Sequence, residues 1–208
     1  MGTNQDYKNR ALKSLEGKWM EGAVVTFIVL LISGGVSEVA ALPFNELTGV
    51  GISSLFSLLC LPLSWGLVVY FLNLIRKENI DYNRLFDGYR DFGRIFITEL
   101  VAGFCVCIGF LFFVIPGIVI GLMLSQTNYI LKDDPQVGCL DAMKRSIDMM
   151  RGNKMKLFWL TLSFIGWIIL ACLTLGLGFL LLVPYWYATT AHFYEDLKAE
   201  SERNFFSR

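Results

Sequence analysis

The sequence predicts an all-α, polytopic membrane bundle of about six transmembrane helices, built as three hairpins that are each preceded by an amphipathic helix on the cytoplasmic side. Composition points there first: hydrophobic residues make up 55% of the 208 residues and charged residues only 17%, outside the range of ordinary soluble domains. Uncharged stretches come second, running from Gly22 to Ser37, Thr48 to Ile75, Leu100 to Leu131 and Leu157 to Tyr194. About 20 apolar residues suffice to cross a hydrocarbon core of roughly 30 Å, so the last two stretches exceed one crossing. The placement of cations is third. All 18 Lys and Arg fall into four segments. These are Lys8 to Lys18, Arg76 to Arg94, Lys132 to Lys156, and Lys198 to Arg208. Cations stay on the cytoplasmic side, so both chain ends and these segments are expected there. The 18 cations balance 18 anions, and net charge gives no argument for nucleic acid as a partner.

Taken in order, the expected spans are 22–42, 50–75, 95–115, 116–132, 157–174 and 178–194. The first 21 residues are polar and mixed in charge, so no cleavable signal peptide is expected and span one is retained. The turn of the second hairpin is read at Ile115-Pro116-Gly117 and that of the third at Thr174-Leu175-Gly176-Leu177-Gly178. Before each hairpin lies a short segment of helical period. The clearest is 135–151, with Leu140, Met143, Ile147 and Met150 on one face, and with Asp134-Pro135 expected as N-cap and first residue. At 81–92, Tyr82, Leu85, Phe86, Tyr89 and Phe92 face one way; the N-terminal copy carries Ala11, Leu12, Leu15 and Trp19. Such helices are expected to lie along the membrane surface and to bind anionic headgroups. Each then reaches a glycine and a basic residue, at Gly17-Lys18, Gly93-Arg94 and Gly152-Asn153-Lys154. Pro62, Trp65, Tyr70 and Phe71 echo Pro184, Tyr187, His192 and Phe193 at one offset. A single domain over 1–208 with pseudo-repeats at about 6–75, 81–132 and 135–196 accounts for these echoes; chance likeness among apolar helices is the competing account.

Several of these motifs, taken together, resemble a known family. Leu85-Phe86-Asp87-Gly88-Tyr89, Ile115-Pro116-Gly117, Tyr129-Ile130-Leu131-Lys132-Asp133-Asp134-Pro135 and Leu162-Ser163-Phe164-Ile165-Gly166-Trp167 look like the bacterial family called domain of unknown function 975. The resemblance covers nearly the whole chain. It implies a protein of the bacterial cytoplasmic (inner) membrane, distantly similar to the membrane domain attached to some glycerophosphoryl diester phosphodiesterases. It brings no known activity, and phosphodiesterase activity is not carried over, because the soluble barrel that performs it in those enzymes has no room here.

Polar groups at membrane depth are candidate sites because burying them is costly. Glu99 stands about one turn into span three and Glu38 toward the outer end of span one. The bland alternatives are a pairing of Glu99 with Arg94, and contact of Glu38 with outer water. Gln126, Thr127 and Asn128 sit near the inner end of span four, and Pro184-Tyr185-Trp186-Tyr187 well inside span six. There a proline frees a carbonyl and aromatics line or fill a central space, as Pro62 and Trp65 would in span two. His192 stands one turn before Glu195, which gives two metal donors where a site needs more, so interfacial hydrogen bonding is the expected role. Cys105 and Cys107 diverge on a helix, and all five cysteines are expected as free thiols. Ser33, Ser37 and Ala41, and Gly117 with Gly121, recur at fourfold spacing, which suits close packing within one chain or between copies. No cofactor, metal or nucleophile–base pair is expected. The reading ranks a non-catalytic scaffold that binds membrane or cytoplasmic proteins first, a small-solute or lipid transporter component second, and an intramembrane enzyme last.

Overall fold

A computed structural model describes residues 2–36, 46–78 and 82–206. Glu38, Ser37 and Ala41 lie outside the described residues. Among those described, all regular structure is helical. The elements are α1 (Asn4–Leu15), α2 (Trp19–Leu30, continued by a π turn at Leu31–Val36), α3 (Glu46–Leu59), α4 (Leu61–Arg76), a 3₁₀ helix (Tyr82–Tyr89), α5 (Phe92–Phe112), α6 (Val114–Leu124), α7 (Thr127–Asp133), α8 (Cys139–Met149), α9 (Lys154–Leu162), α10 (Ile165–Leu173) and α11 (Phe179–Phe206).

Four helical runs are long and apolar enough to cross a membrane: Ser53–Arg76, Phe92–Phe112, Val114–Asp133 and Lys154–Leu173. Their surroundings differ. Inside the bundle, 61% of the most apolar 18-residue stretch of the first is buried, against 17% of that of Phe92–Phe112. So α4 is the central post, whereas α5 turns most of its apolar surface outward, as a helix facing hydrocarbon does. Around α4 the main cluster joins α1 (Tyr7, Ala11, Leu15), α2 (Val25, Val29) and α11 (Ala188, Phe193, Leu197). Packing of this kind sums many small dispersion contacts.

The apolar runs are jointed. Pro62 lies in the first turn of α4, after the break at Cys60, and spends its missing N–H where none is needed. The breaks α6–α7 and α9–α10 have no proline. There the hydroxyls of Ser125 and Ser163 donate to the carbonyls of Leu122 and Leu160 at 2.8 and 2.6 Å, and the local bond replaces part of the helix ladder.

α5 and α6 form an antiparallel hairpin, but its turn falls at Phe113, which is fully extended (φ −164°, ψ 158°). Pro116 and Gly117 instead belong to the first turn of α6, where proline is tolerated. The expected turn was therefore set two to three residues late. Gly117 and Gly109 are pressed together: a Cβ on Gly109 would stand 2.9 Å from the Gly117 Cα. Gly121 faces Val106 of the same hairpin, so the Gly117/Gly121 stripe packs within the chain. The turn between α10 and α11 falls at Leu175 and Gly176, both left-handed (φ 54° and 87°), with Gly178 against the Ala171 backbone.

The amphipathic segments depart from expectation in detail. Helix α8 begins at Cys139 behind Gly138. Asp134 accepts instead from the Gln136 N–H and from Arg145, so it closes a turn before the helix and is no N-cap. The inward face of α8 is Ala142, Met143, Ser146 and Met150, while Leu140 is 74% exposed. The expected stripe is thus rotated, because Ser146 Oγ donates to Met123 O and accepts from the Gln126 N–H. Within 81–92, Phe92 is already in α5 and Tyr82–Tyr89 form the 3₁₀ helix. It interlocks with α4 through glycines: a Cβ on Gly66 would strike the Leu85 carbonyl, and one on Gly88 the Pro62 carbonyl. Gly17 and Gly152 are left-handed (φ 75° and 78°) after α1 and α8, as helix-terminating glycines are. Gly93, by contrast, sits inside α5.

Candidate functional site

Where α4, α7 and α11 meet, one carboxylate gathers four donors. Arg76, the last residue of α4, makes a bidentate pair with Asp133 at 2.7 and 3.0 Å. Asp133 also accepts from Lys198 Nζ at 2.6 Å and Tyr194 OH at 2.9 Å. Arg76 reaches on to Glu195 at 2.6 Å. The Asp133 side chain is 14% exposed and that of Arg76 21%, so the fork–fork geometry is strong enough to hold three elements in one register. Apolar packing continues the join: Tyr129 stacks on Tyr194 with centroids 4.8 Å apart.

A second seam joins α1 to α11. Arg10 pairs with Asp196 at 2.9 Å, Tyr7 OH donates to the other Asp196 oxygen at 3.1 Å, and Ser14 Oγ lies 2.9 Å from His192 Nε2. Burial alone would raise the Asp196 carboxyl, but the Arg10 guanidinium and the Tyr7 hydroxyl outweigh it and hold its pKa below the ordinary carboxylate value. Tyr7 moves the opposite way, pushed up to about 12 by burial and by Asp196. The Ser14–His192 distance is that of a nucleophile and its base. Both oxygens of Asp196, one turn on, are committed to Arg10 and Tyr7, so the imidazole bridges two helices and is not oriented by a carboxylate. Glu195 is committed to Arg76; it and His192 bind different partners and share no ligand position.

Deeper in the bundle, Glu99 of α5 accepts from Asn128 Nδ2 at 2.7 Å, and Trp65 Nε1 donates to the Asn128 carbonyl at 3.2 Å. The expected partner of Glu99, Arg94, is engaged elsewhere. Its guanidinium donates to the carbonyls of Asp134, Val137 and Leu131 and meets Asp91. Gln126 and Thr127, which precede Asn128 in the chain, are buried, and among the described residues Gln126 Oε1 and Thr127 Oγ1 have no hydrogen-bond partner.

The aromatic run of α11 fills space between helices. Tyr185 and Trp186 pack on Phe164 at 5.1 and 5.0 Å, Tyr187 stacks on Phe71 at 5.7 Å, and Pro184 closes against Gly22. All five cysteines are free thiols, and among the described residues no cluster of three or more His, Cys, Asp or Glu is placed to hold a metal.

Thus the structure brings Glu99 to Asn128 and gathers Tyr185 and Trp186 on Phe164, while His192 meets Ser14. Sequence reasoning missed Arg76, Asp133 and Ser14. Arg76 stands at the end of an apolar run and Asp133 beside Asp134-Pro135, and both looked like ordinary interfacial charges. Their pairing is tertiary and leaves no local signal.

Residues 104–201 match the profile of a family described as "Protein of unknown function (DUF975)", so this stretch is similar to that family. It contains Asp133, Tyr194 and Lys198 but neither Arg76 nor Leu85–Tyr89. No curated protein and no solved structure gives a match.

Proposed function

We propose that the chain is a multi-pass protein of the bacterial cytoplasmic membrane that crosses it six times as three hairpins, with both termini inside. Its role in this reading is non-catalytic: it is a scaffold whose cytoplasmic face binds a partner protein. Four runs have the length and apolarity to cross. The apolar helix Trp19–Gly34 and the apolar first half of α11 supply the other two crossings in this proposal, and the four cation-bearing segments set the orientation. The likeness to a bacterial family, and the more distant one to phosphodiesterase membrane domains, belong to the same proposal.

The observation that carries the scaffold role is the Asp133 knot. Its carboxylate accepts from Arg76, Lys198 and Tyr194, an arrangement that fixes the geometry of three elements. It holds α7 and so the turn leading into α8, whose Leu140 stands out beside Lys144 and Arg145. A photoreactive residue at Leu140 should give one discrete protein adduct, and Asp133→Ala should weaken it. No adduct from Leu140 in native membranes would sink the scaffold reading.

One observation favours a transporter component instead: the Glu99–Asn128 bond, with the buried oxygens of Gln126 and Thr127, the two residues before Asn128, unpartnered among the described residues. Buried carboxylates flanked by polar groups mark solute and proton paths in many carriers. Flux through reconstituted protein that disappears in Glu99→Gln would establish that reading over the first.

A further inference from the structure

Between α10 and α11 a groove of about 560 Å³ runs toward the N-terminal helix, walled by Trp167, Ala171, Leu181 and Tyr185 and closed below by Leu12 and Trp19. The two helices touch at the turn end, where Gly178 lies against Ala171. From Gly178 to Tyr185 the wall extends roughly 10 Å at 1.5 Å per residue. The hydroxyl of Thr174, at the closed end, is spent twice: it donates to Ala171 O and accepts from the Gly178 N–H. The groove therefore presents hydrocarbon and aromatic surface, and its volume lies in the range of ligand sites.

At the other end stands a cation with no carboxylate on it among the described residues. Lys8 is one turn before Leu12 on the same side of α1. Its Nζ donates to Ser163 O at 3.0 Å and lies 4.6 Å from the centre of the Phe164 ring. That ring packs on Tyr185. Among the described residues no carboxylate pairs with Lys8, although Arg10 on the same helix has Asp196. An ammonium carries three donors, so two remain after Ser163. Partial burial pulls the Lys8 pKa down, the direction desolvation moves a cation.

We propose that this groove binds one molecule of an anionic phospholipid, with an acyl chain between α10 and α11 and the headgroup phosphate on Lys8. Charge and shape agree on this occupant. The apolar slot and the cation are about one helical turn apart, and a phospholipid carries hydrocarbon and phosphate on one molecule. This inference rests on the chain lying in a membrane and is independent of the scaffold role.

The test is native mass spectrometry of the full chain in mild detergent, titrated with dioleoyl phosphatidylglycerol or dioleoyl phosphatidylcholine. One phosphatidylglycerol should be retained, and it should bind about fivefold or more weakly to Lys8→Gln, the size expected from one lost lysine contact at a membrane surface. Lys8→Arg should restore it. Leu12→Phe, at a position that is 43% exposed and on the groove wall, should weaken both lipids without lowering thermal stability. Equal retention of the two lipids by wild type and Lys8→Gln would overturn the proposal, as would many equivalent adducts, which mark an unspecific lipid annulus. A dimer that Leu12→Phe disrupts would overturn it by assigning the groove to a second copy. Failure to pellet with carbonate-washed membranes would instead defeat the membrane reading beneath it.

Discussion

A carboxylate with four donors and a carboxylate with one are different objects, and substitution separates them. Removing Asp133 leaves Arg76 and Lys198 without their shared partner in a site where the side chains are 21% and 38% exposed. Breaking a largely buried pair from one side costs about 3–5 kcal/mol; partial exposure lowers the expectation for Asp133→Ala to about 2–4 kcal/mol, read as a drop in unfolding free energy in mild detergent. Arg151→Ala breaks a pair with Asp148 whose side chains are 76% and 50% exposed, and it should change stability by less than about 0.5 kcal/mol. The α1–α11 seam carries a pH signature. Asp196 is held below its ordinary pKa, chiefly because its pair with Arg10 outweighs burial. Its contribution is therefore complete above about pH 4 and is lost as pH falls through the depressed value. Tyr7 is raised to about 12, so its contribution is complete below about pH 10 and fades as pH rises through 12. Wild type should show a plateau between these limits. Asp196→Asn should be less stable on that plateau and should converge with wild type in acid. Parallel melting curves across the acid range would show that Asp196 contributes nothing through its charge.

Among the elements, the contact most sensitive to a single atom is that of α4 with the 3₁₀ helix Tyr82–Tyr89. A Cβ at position 66 would meet the Leu85 backbone, which has no rotamer to yield, whereas Gly103 on α5 has nothing within 4 Å of its virtual Cβ. Gly66→Ala should therefore cost about 1–3 kcal/mol or more and expose the 77–91 connection to limited proteolysis. Gly103→Ala should be neutral or stabilising by about 0.5–1 kcal/mol through helix propensity. Equal melting temperatures for the two variants would remove the interlock from the account. This contact also shows where sequence reasoning stopped. The period of apolar residues marked an amphipathic segment at 81–92, and Leu85 is its buried anchor. The glycine pair that turns the segment into a 3₁₀ helix pressed on α4 is tertiary, and no local pattern announces it. Likewise the breaks at Ser125 and Ser163 rest on a hydroxyl turned onto a carbonyl, a choice that an isolated serine does not force.

For the whole molecule, the legible features were those that hydrocarbon dictates. Of the six expected spans, 50–75, 95–115, 116–132 and 157–174 overlap apolar runs long enough to cross a membrane, and the Leu175–Gly176 turn lies where the sequence placed it. What stayed hidden was which run is central. The runs Ser53–Arg76 and Phe92–Phe112 are similarly apolar, yet 61% of the most apolar stretch of one and 17% of that of the other is buried, and only neighbours decide that. In lipid both positions satisfy the same hydropathy, because the solvent resembles the core. Orientation is a separate physical statement that rests on the cost of carrying cations through hydrocarbon. Residue 175 is 96% exposed in the α10–α11 turn and residue 140 is 74% exposed on α8. In a cysteine-free background, Leu175→Cys should react with an impermeant maleimide on intact cells, and Leu140→Cys only after lysis. Glu46→Cys, at the start of α3, should react like residue 175. Reaction at 140 but not at 175 from outside would invert the molecule. The face carrying the Asp133 knot would then look away from the cytoplasm, and a cytoplasmic partner could not reach it.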